Sequence, residues 1–190
     1  MRYADDFLLT FERRGDAERL MAVLRQRLAR FGLQLHDGKT RLIEFGCFAA
    51  ERRRERGQPR PATFDFLGFT HYCGKTREDR FIVRRKTQGR RMIRKLKDLR
   101  RQMRWRKHWR LRDQQHWLAA VLRGHYAYYG ITGNSRALDR FRREAIKAWR
   151  WALRRRGQRP KLPWDRFKVL LEVFPLPTPR IVHQWRGAAA

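Results

Sequence analysis

The sequence is poor in cysteine, poor in acidic residues and without a long apolar run. Its two cysteines, Cys47 and Cys73, belong to no paired-cysteine motif, which excludes a disulfide framework and a zinc finger. A metal site that combines His71 with both cysteines is the alternative, but zinc ligands usually have tighter paired spacing. We therefore expect both thiols to be ordinary buried side chains.

Long apolar segments are also missing. No stretch approaches the roughly 20 residues that a membrane-spanning helix needs. The N-terminus lacks the basic segment followed by an apolar segment that marks a secretory signal. These absences favour a protein of the reducing cytoplasm with no membrane partner.

The scarcity of acidic residues leaves a large positive charge. Only 18 Asp and Glu residues face 48 Lys and Arg residues, so the formal net charge is +30. A guanidinium group binds phosphate through two parallel hydrogen bonds and stacks on bases. A charge of this size repels itself unless a polyanion neutralises it. Nucleic acid is therefore the favoured partner, and an anionic membrane or a merely solvated basic surface are the alternatives.

The first part of the chain predicts a strand followed by a helix. Residues 7–11 form a β-like apolar run. Apolar residues then recur every three or four positions from Ala17 to Phe31, which is the period of a helix buried on one face. Asp16 is a candidate N-cap, and Gly32 is a candidate left-handed C-cap.

Further strands are predicted after this helix. Leucine, isoleucine and phenylalanine residues between positions 33 and 45 indicate short strands around a polar loop at residues 36–39. The charged segment 47–62 indicates a loop or hairpin tip. The segment FDFLGFTHY then predicts a strand that turns at Gly68, with residues 81–83 as its partner.

The second part predicts three basic, amphipathic helices with short connections, which is typical of a small bundle. Apolar residues from Met92 to Met103 share one face of the first helix. The second helix is predicted to begin near Asp113, and Asn134 or Ser135 can cap the third. The segment after residue 172 is proline-rich and is predicted to be irregular.

Two adjacent carboxylates, Asp5 and Asp6, are the clearest candidates for metal binding. At a hairpin turn both can reach one side, and two carboxylates held together need a cation such as Mg²⁺. Mg²⁺ ions activate a 3′ hydroxyl and stabilise the leaving oxygen in two-metal phosphoryl chemistry. A surface turn is the alternative, because Asp is common in turns. The apolar flanks in RYADDFLLTF favour the metal site.

At these residues the sequence resembles reverse transcriptases. YADD followed by FLLTF is similar to their catalytic hairpin, RFGLQLHDGKTRLIEFG to the next palm motif, and FDFLGFTHY to the primer-grip hairpin. LAAVLRGHYAYYGITGNSRALDRF and RGQRPKLPWDRF resemble the thumb, or maturase domain X, of group II intron-encoded proteins. The order of these motifs makes the resemblance specific, and it extends to about residue 170.

The resemblance implies an α+β fold in three segments. Residues 1–85 would be the C-terminal part of the palm, with antiparallel strands, a helix and the primer-grip hairpin. Residues 86–172 would be a basic three-helix thumb/maturase bundle, and residues 173–190 an irregular tail. It also implies catalytic roles for Asp5, Asp6 and Lys39, with Mg²⁺ held by the two aspartates. The implied primer-grip residues are Phe66, Leu67 and Gly68.

In this family a further catalytic aspartate and the fingers lie before the YADD motif, and only two residues precede it here. We therefore expect no DNA polymerisation by this chain alone, and primer extension by the purified chain with Mg²⁺ and dNTPs would contradict this. One half of a split reverse transcriptase, whose N-terminal half is another chain, is an alternative. A non-enzymatic basic RNA-binding protein is another.

The segment from Arg84 to Arg112 is the strongest candidate for binding RNA. It has fifteen Lys or Arg residues and a single acidic residue, Asp98. Trp105 and Trp109 are interleaved among them, either as core residues or as surfaces on which bases stack. The resemblance implies intron RNA, or a primer-template in the full-length protein, as the partner. The predicted RNA-binding residues are Arg90, Arg91, Arg94, Lys95, Arg101, Arg104, Tyr126, Tyr128, Tyr129, Arg143, Lys147 and Arg150.

Overall fold

A computed structural model describes residues 2–3, 6–157 and 162–184 of the chain. It has a two-stranded ribbon, a three-stranded antiparallel sheet of order β3-β4-β5 and six α-helices, so the predicted α+β class is confirmed. The strands are β1 (Arg2–Tyr3), β2 (Asp6–Phe7), β3 (Phe64–Phe66), β4 (Phe69–Lys75) and β5 (Phe81–Thr87). The helices are α1 (Arg14–Ala29), α2 (Ala49–Glu55), α3 (Gly89–Trp105), α4 (Leu111–Tyr129), α5 (Ser135–Arg154) and α6 (Trp164–Val173).

The chain divides into two compact units, which are described separately. The N-terminal unit consists of residues 1–66 and 72–83, and the helical unit of residues 67–71 and 84–190. Among the described residues, none of the helices combines the length and apolar character that a membrane span requires.

Residues close by in the sequence determine where α1 begins and ends. Gly32 has φ +68, and the N–H groups of Gly32 and Leu33 donate to the carbonyls of Ala29 and Leu28, each at 3.0 Å. This is a Schellman motif, and it confirms the predicted left-handed cap. The start is three residues earlier than predicted: Arg13 is the N-cap, and Asp16 lies in the first turn, where a carboxylate favours the helix dipole.

The connection after α1 differs from the prediction. Residues 33–63 include no strand, and α2 replaces the expected loop tip. The sequence AAERRRE favours a helix because Ala, Glu and Arg all have high helix propensity. The polar loop predicted at residues 36–39 is present as a turn, in which the N–H groups of Lys39 and Thr40 both donate to the His36 carbonyl at 2.9 Å.

The cysteines of the N-terminal unit are both free thiols. Cys47 is exposed, so the expectation of a buried thiol is wrong there. Cys73 is partly buried, and its Sγ lies 3.7 Å from the Gly46 carbonyl oxygen. Cys47 lies two residues before α2, a helix that buries only Ala49.

The helical unit has an apolar core between α3, α4, α5 and α6. Helix α3 contributes four buried residues spaced three or four apart, as an amphipathic helix should. Phe141 and Trp149 on α5 and Phe167 on α6 are completely buried. Aliphatic, methionine and tyrosine residues complete this core: Met92, Leu96, Leu99, Met103, Leu118, Leu122, Tyr126, Tyr129, Leu138, Leu153 and Leu176.

A buried amide closes the turn between α3 and α4. Gln114 is fully buried, and its Nε2 donates to the carbonyls of Arg106 at 2.6 Å and Lys107 at 3.0 Å. Its Oε1 accepts a hydrogen bond from Trp149 Nε1 at 2.8 Å. Because buried polar groups are costly when unpaired, these bonds fix the short 3-10 turn Arg106–His108 against the core.

Candidate nucleic-acid interface

The solvent-facing side of α3 is strongly basic. Its core-facing side is apolar, and the intervening positions are mostly cationic, so the helix separates the two kinds of side chain along its length. All six predicted RNA-binding residues of this helix are exposed: Arg90, Arg91, Arg94, Lys95, Arg101 and Arg104. The helix therefore presents a row of cations to solvent.

Four of these residues line an open depression of about 770 Å³. Its walls also include one carboxylate, and that carboxylate is already paired: Asp98 accepts hydrogen bonds from Gln102 Nε2 at 2.7 Å and from Arg101. These hydrogen bonds, and most of all the one from Gln102, lower the pKa of Asp98, so the carboxylate stays ionised. The lining residues are Arg91, Arg94, Lys95, Lys97, Asp98, Arg101 and Tyr129. Five cations around one paired carboxylate give the depression a net positive charge, which attracts anions.

The tip of the β3–β4 hairpin is attached to the helices that form this depression. Leu67 and Gly68 make a two-residue loop with φ +49 and +80, the signature of a type I′ turn. Tyr128 Oη donates to the Leu67 carbonyl at 2.9 Å, and the Gln88 N–H donates to the Gly68 carbonyl at 2.9 Å. The Phe69 ring stacks on Tyr128, with centroids 6.0 Å apart. Two of the predicted primer-grip residues are thus fixed beside the basic helix.

Gly68 is required at this tip for two separate reasons. Its positive φ is strained for a residue with a side chain. An added Cβ would also lie 3.1 Å from Tyr129 Oη and 3.4 Å from Arg91 Nη1, closer than most real contacts. Since Arg91 and Tyr129 both line the depression, the turn and the depression form one continuous surface.

A second attachment lies where β5 ends. Asn134 Oδ1 accepts the Thr87 N–H at 2.9 Å, and its Nδ2 donates to Thr87 Oγ1 and to the Tyr129 carbonyl, each at 2.8 Å. The sequence predicted a helix cap for Asn134, and the side chain makes no capping bond. A buried amide with three partners is more stable than one that caps a helix in solvent, so the tertiary contact prevails.

The three tyrosines predicted to bind RNA have different environments. Tyr126 and Tyr129 are buried in the core, whereas Tyr128 is half exposed. Tyr126 Oη donates to the Pro177 carbonyl at 3.3 Å, and burial raises its pKa to about 12. Of the three rings, Tyr128 therefore has the largest exposed fraction, and Tyr129 lines the depression.

The predicted residues of α5 are similarly divided. Arg143 is exposed. Lys147 pairs with Glu144 at 3.0 Å, and Glu144 also binds Arg100 of α3 at 2.8 Å. Arg150 donates from Nε to the Leu162 carbonyl at 3.0 Å, and its guanidinium lies 4.4 Å from the Trp164 ring centroid. Arg150 thus holds the segment before α6, whereas Arg143 and Lys147 are both exposed.

Trp105 and Trp109, which the sequence predicted either as core residues or as surfaces for base stacking, are not core residues. Trp105 is 68% exposed and Trp109 is 46% exposed, whereas Trp149 is completely buried. The sequence identified both tryptophans by their position among arginines at the end of the basic helix. That position does not indicate whether a ring lies in the core or on the surface.

The predicted metal site is only partly within the described residues. Asp5 lies outside them. Asp6 is exposed in β2, whose backbone pairs Asp6 with Tyr3, and Lys39 is exposed in the turn after α1. In the part of the chain that the structure describes, no three His, Cys, Asp or Glu residues lie together as metal ligands. Because Asp5 lies outside the described residues, Mg²⁺ binding by Asp5 and Asp6 stays a prediction.

Comparison with known proteins adds one finding. Residues 1–71 match the family model described as "Reverse transcriptase (RNA-dependent DNA polymerase)". No curated protein and no solved structure matches the chain. The matched segment contains Asp5, Asp6, Lys39 and the hairpin tip at Leu67 and Gly68. The match supports a reverse-transcriptase-family protein.

Proposed function

We propose that this chain is the C-terminal part of a group II intron reverse transcriptase/maturase and that its helical unit binds intron RNA. The depression on α3 carries the proposal, because several exposed cations converge there beside the Gly68 turn. In the complete enzyme Asp5 and Asp6 would hold Mg²⁺ and Lys39 would stabilise the leaving pyrophosphate. The RNA-binding role concerns the helical unit and does not depend on that chemistry.

The depression suits a phosphate backbone for two physical reasons. Its cations come from one helix, so the spacing of their backbone positions exists before binding and the helix itself needs no ordering. The Gly68 turn leaves backbone, and no side chain, next to Arg91 and Tyr129. A polynucleotide can therefore approach closely there.

The experiment that tests this compares two pairs of charge removals. Arg94→Gln with Lys95→Gln removes two cations from the depression, and Arg27→Gln with Arg30→Gln removes two exposed cations from the end of α1. Both double variants have the same net charge. We expect only the first to weaken binding of a group II intron RNA, measured by filter binding at several salt concentrations.

The salt dependence identifies the lost contacts. Losing two phosphate contacts should lower the slope of log K against log salt by about 1.4 to 1.8. Equal losses in the two double variants would contradict a local site, because they would indicate only a general effect of charge. Equal affinity for the intron RNA and for an unrelated RNA of the same length would contradict the intron assignment and leave RNA binding intact.

One observation favours a second candidate, a half of a split reverse transcriptase. The N-terminal unit exposes large apolar residues, including Phe31 at 72% and Leu33 at 57%. A second chain with the fingers and the first half of the palm would cover such residues. Co-purification of that chain, lost on Phe31→Ser, would favour this candidate. If neither polymerase chemistry nor a partner is found, a non-enzymatic basic RNA-binding protein is the simpler interpretation.

A further inference from the structure

Two solvent-exposed tryptophans, Trp105 and Trp109, lie at and just after the end of α3, and each ring has an arginine beside it. Trp105 is the most exposed tryptophan among the described residues. The Arg101 guanidinium lies 5.5 Å from the Trp105 ring centroid. Arg106 lies between two rings, 4.8 Å from the Trp109 centroid and 4.6 Å from the Trp117 centroid. Burying an indole normally stabilises a fold, so an exposed one beside cations needs another explanation.

The exposure of these rings does not come from a loosely held loop. The turn that joins Trp105 to Trp109 is fixed by Gln114, whose Nε2 also approaches the Trp109 carbonyl at 3.3 Å. Arg156 of the α5 end donates hydrogen bonds to the carbonyls of Lys107 and Trp109. The rings therefore stand on a preorganised backbone, which lowers the entropy lost when a ligand binds.

The charge around the rings indicates what kind of ligand they bind. Arg104 and Arg155 both contact the Trp151 ring, at 5.5 and 4.1 Å from its centroid, so cations continue from α3 to the end of α5. A ligand with flat apolar faces and negative charge complements this combination. Unpaired nucleotides have both properties, whereas a duplex hides its base faces by stacking.

We propose that Trp105, with Trp109 beside it, is a stacking site for unpaired bases of single-stranded RNA. The inference rests on the proposed RNA-binding function and names the form of RNA that this end of α3 binds. The depression near Tyr129 holds phosphates without regard to pairing, and the tryptophan end adds preference for single strands.

Three substitutions in the full chain test this site. Trp105→Leu keeps an apolar side chain and removes the aromatic ring, and Trp105→Phe keeps a ring. Ile93→Ala is the matched control, since Ile93 is 53% exposed on the same helix and has no ring. The probes are a 15-nucleotide RNA of mixed sequence without self-complementarity and the blunt duplex that it forms with its complement.

We expect Trp105→Leu to weaken single-strand binding roughly five- to one-hundred-fold, the range for one lost base stack. Trp105→Phe should retain most of the affinity, Ile93→Ala should retain all of it, and duplex affinity should change less than about twofold. The slope of log K against log salt should stay the same because no charge is removed. In the unmodified chain, 5-iodouridine in the single strand should cross-link on irradiation to Trp105 or Trp109.

Several outcomes would overturn the inference. Equal losses for single strand and duplex, no loss for either, or a Trp105→Phe variant as weak as Trp105→Leu would each do so. Loss of binding to vesicles with 30% phosphatidylserine, with RNA binding intact, would assign the rings to a membrane surface instead. If Arg94→Gln with Lys95→Gln weakens RNA binding while Trp105→Leu does not, only this inference fails. If the unmodified chain binds neither RNA, the proposed function fails as well.

Discussion

The helical unit and the N-terminal unit bury their apolar residues very differently. In the helical unit, large side chains such as Phe141, Trp149 and Phe167 have no exposed surface. In the described part of the N-terminal unit, the buried hydrophobic residues are Ala17 and Ala49, while Phe31 and other large residues are exposed. The apolar area removed from water, which is the main source of folding energy, is thus concentrated in the helical unit.

The residues that match the family model and the residues that form the large apolar core lie mostly in different units. The family match covers residues 1–71, most of which lie in the weakly packed N-terminal unit. The basic depression and the tryptophan end of α3 lie in the well-packed helical unit. A site built on a buried core keeps its geometry, so the surface proposed to bind RNA belongs to the better-packed of the two units.

The largest expected effect tests whether the two units differ in packing, and it concerns the free energy of unfolding. Phe141→Ala removes a fully buried ring and should destabilise the chain by about 3 to 5 kcal/mol. Phe31→Ala in the N-terminal unit removes a ring that is 72% exposed and should change stability by less than about 0.5 kcal/mol. Urea denaturation measures both. Similar costs for the two variants would show that the N-terminal unit has a comparable core.

A smaller effect concerns the pH dependence of the helical unit. His125 is fully buried, stacks on Phe141 with centroids 3.7 Å apart, and has no hydrogen-bond partner for either ring nitrogen among the described residues. Burial, aided by the positive charge of Lys95, lowers its pKa to about 3. Below pH 6.5, its ordinary pKa, the unfolded chain binds a proton that the folded chain does not.

The helical unit should therefore lose stability as pH falls from about 6.5 to 5, by about 1.4 kcal/mol per pH unit at most. Denaturant unfolding, followed at pH 7, 6 and 5 by tryptophan fluorescence, measures this loss. His125→Leu should make the stability less sensitive to pH in that window. A wild-type pH dependence that persists in His125→Leu would assign the effect to other groups.

The smallest expected effect separates backbone strain from contact at the hairpin tip. Gly68→Ala and Gly57→Ala each place a Cβ at a positive φ, +80 and +64, and each should cost about 1 kcal/mol of stability. Gly57 has open space around it, whereas the Cβ at Gly68 meets Tyr129 and Arg91. We expect a severalfold loss of RNA affinity in Gly68→Ala alone. An equal loss in Gly57→Ala would remove the turn from the proposed interface.

Periodic and local signals were the ones that sequence reasoning interpreted correctly. The apolar spacing in α3 and the Gly32 cap of α1 both depend on residues within one or two helical turns, so they can be derived without the fold. Two predictions were wrong: the short strands between residues 33 and 45, and the loop where α2 lies. The apolar pattern in these segments is weak, so the hydrogen bonds of a turn in the first and helix propensity in the second decided the structure.

The sequence by itself determined the positive charge, the periodicity of the long helices and the motifs that match the reverse transcriptase family. Only the tertiary structure decided which aromatic rings meet solvent. Tyr126 is buried and donates a hydrogen bond to Pro177, 51 positions away, whereas the half-exposed Tyr128 donates one to Leu67, 61 positions away. Trp105 stays exposed because the 3-10 turn after it is fixed to Gln114 and the core, while the ring itself faces away. Burial depends on neighbours distant in the chain, and no local pattern specifies them.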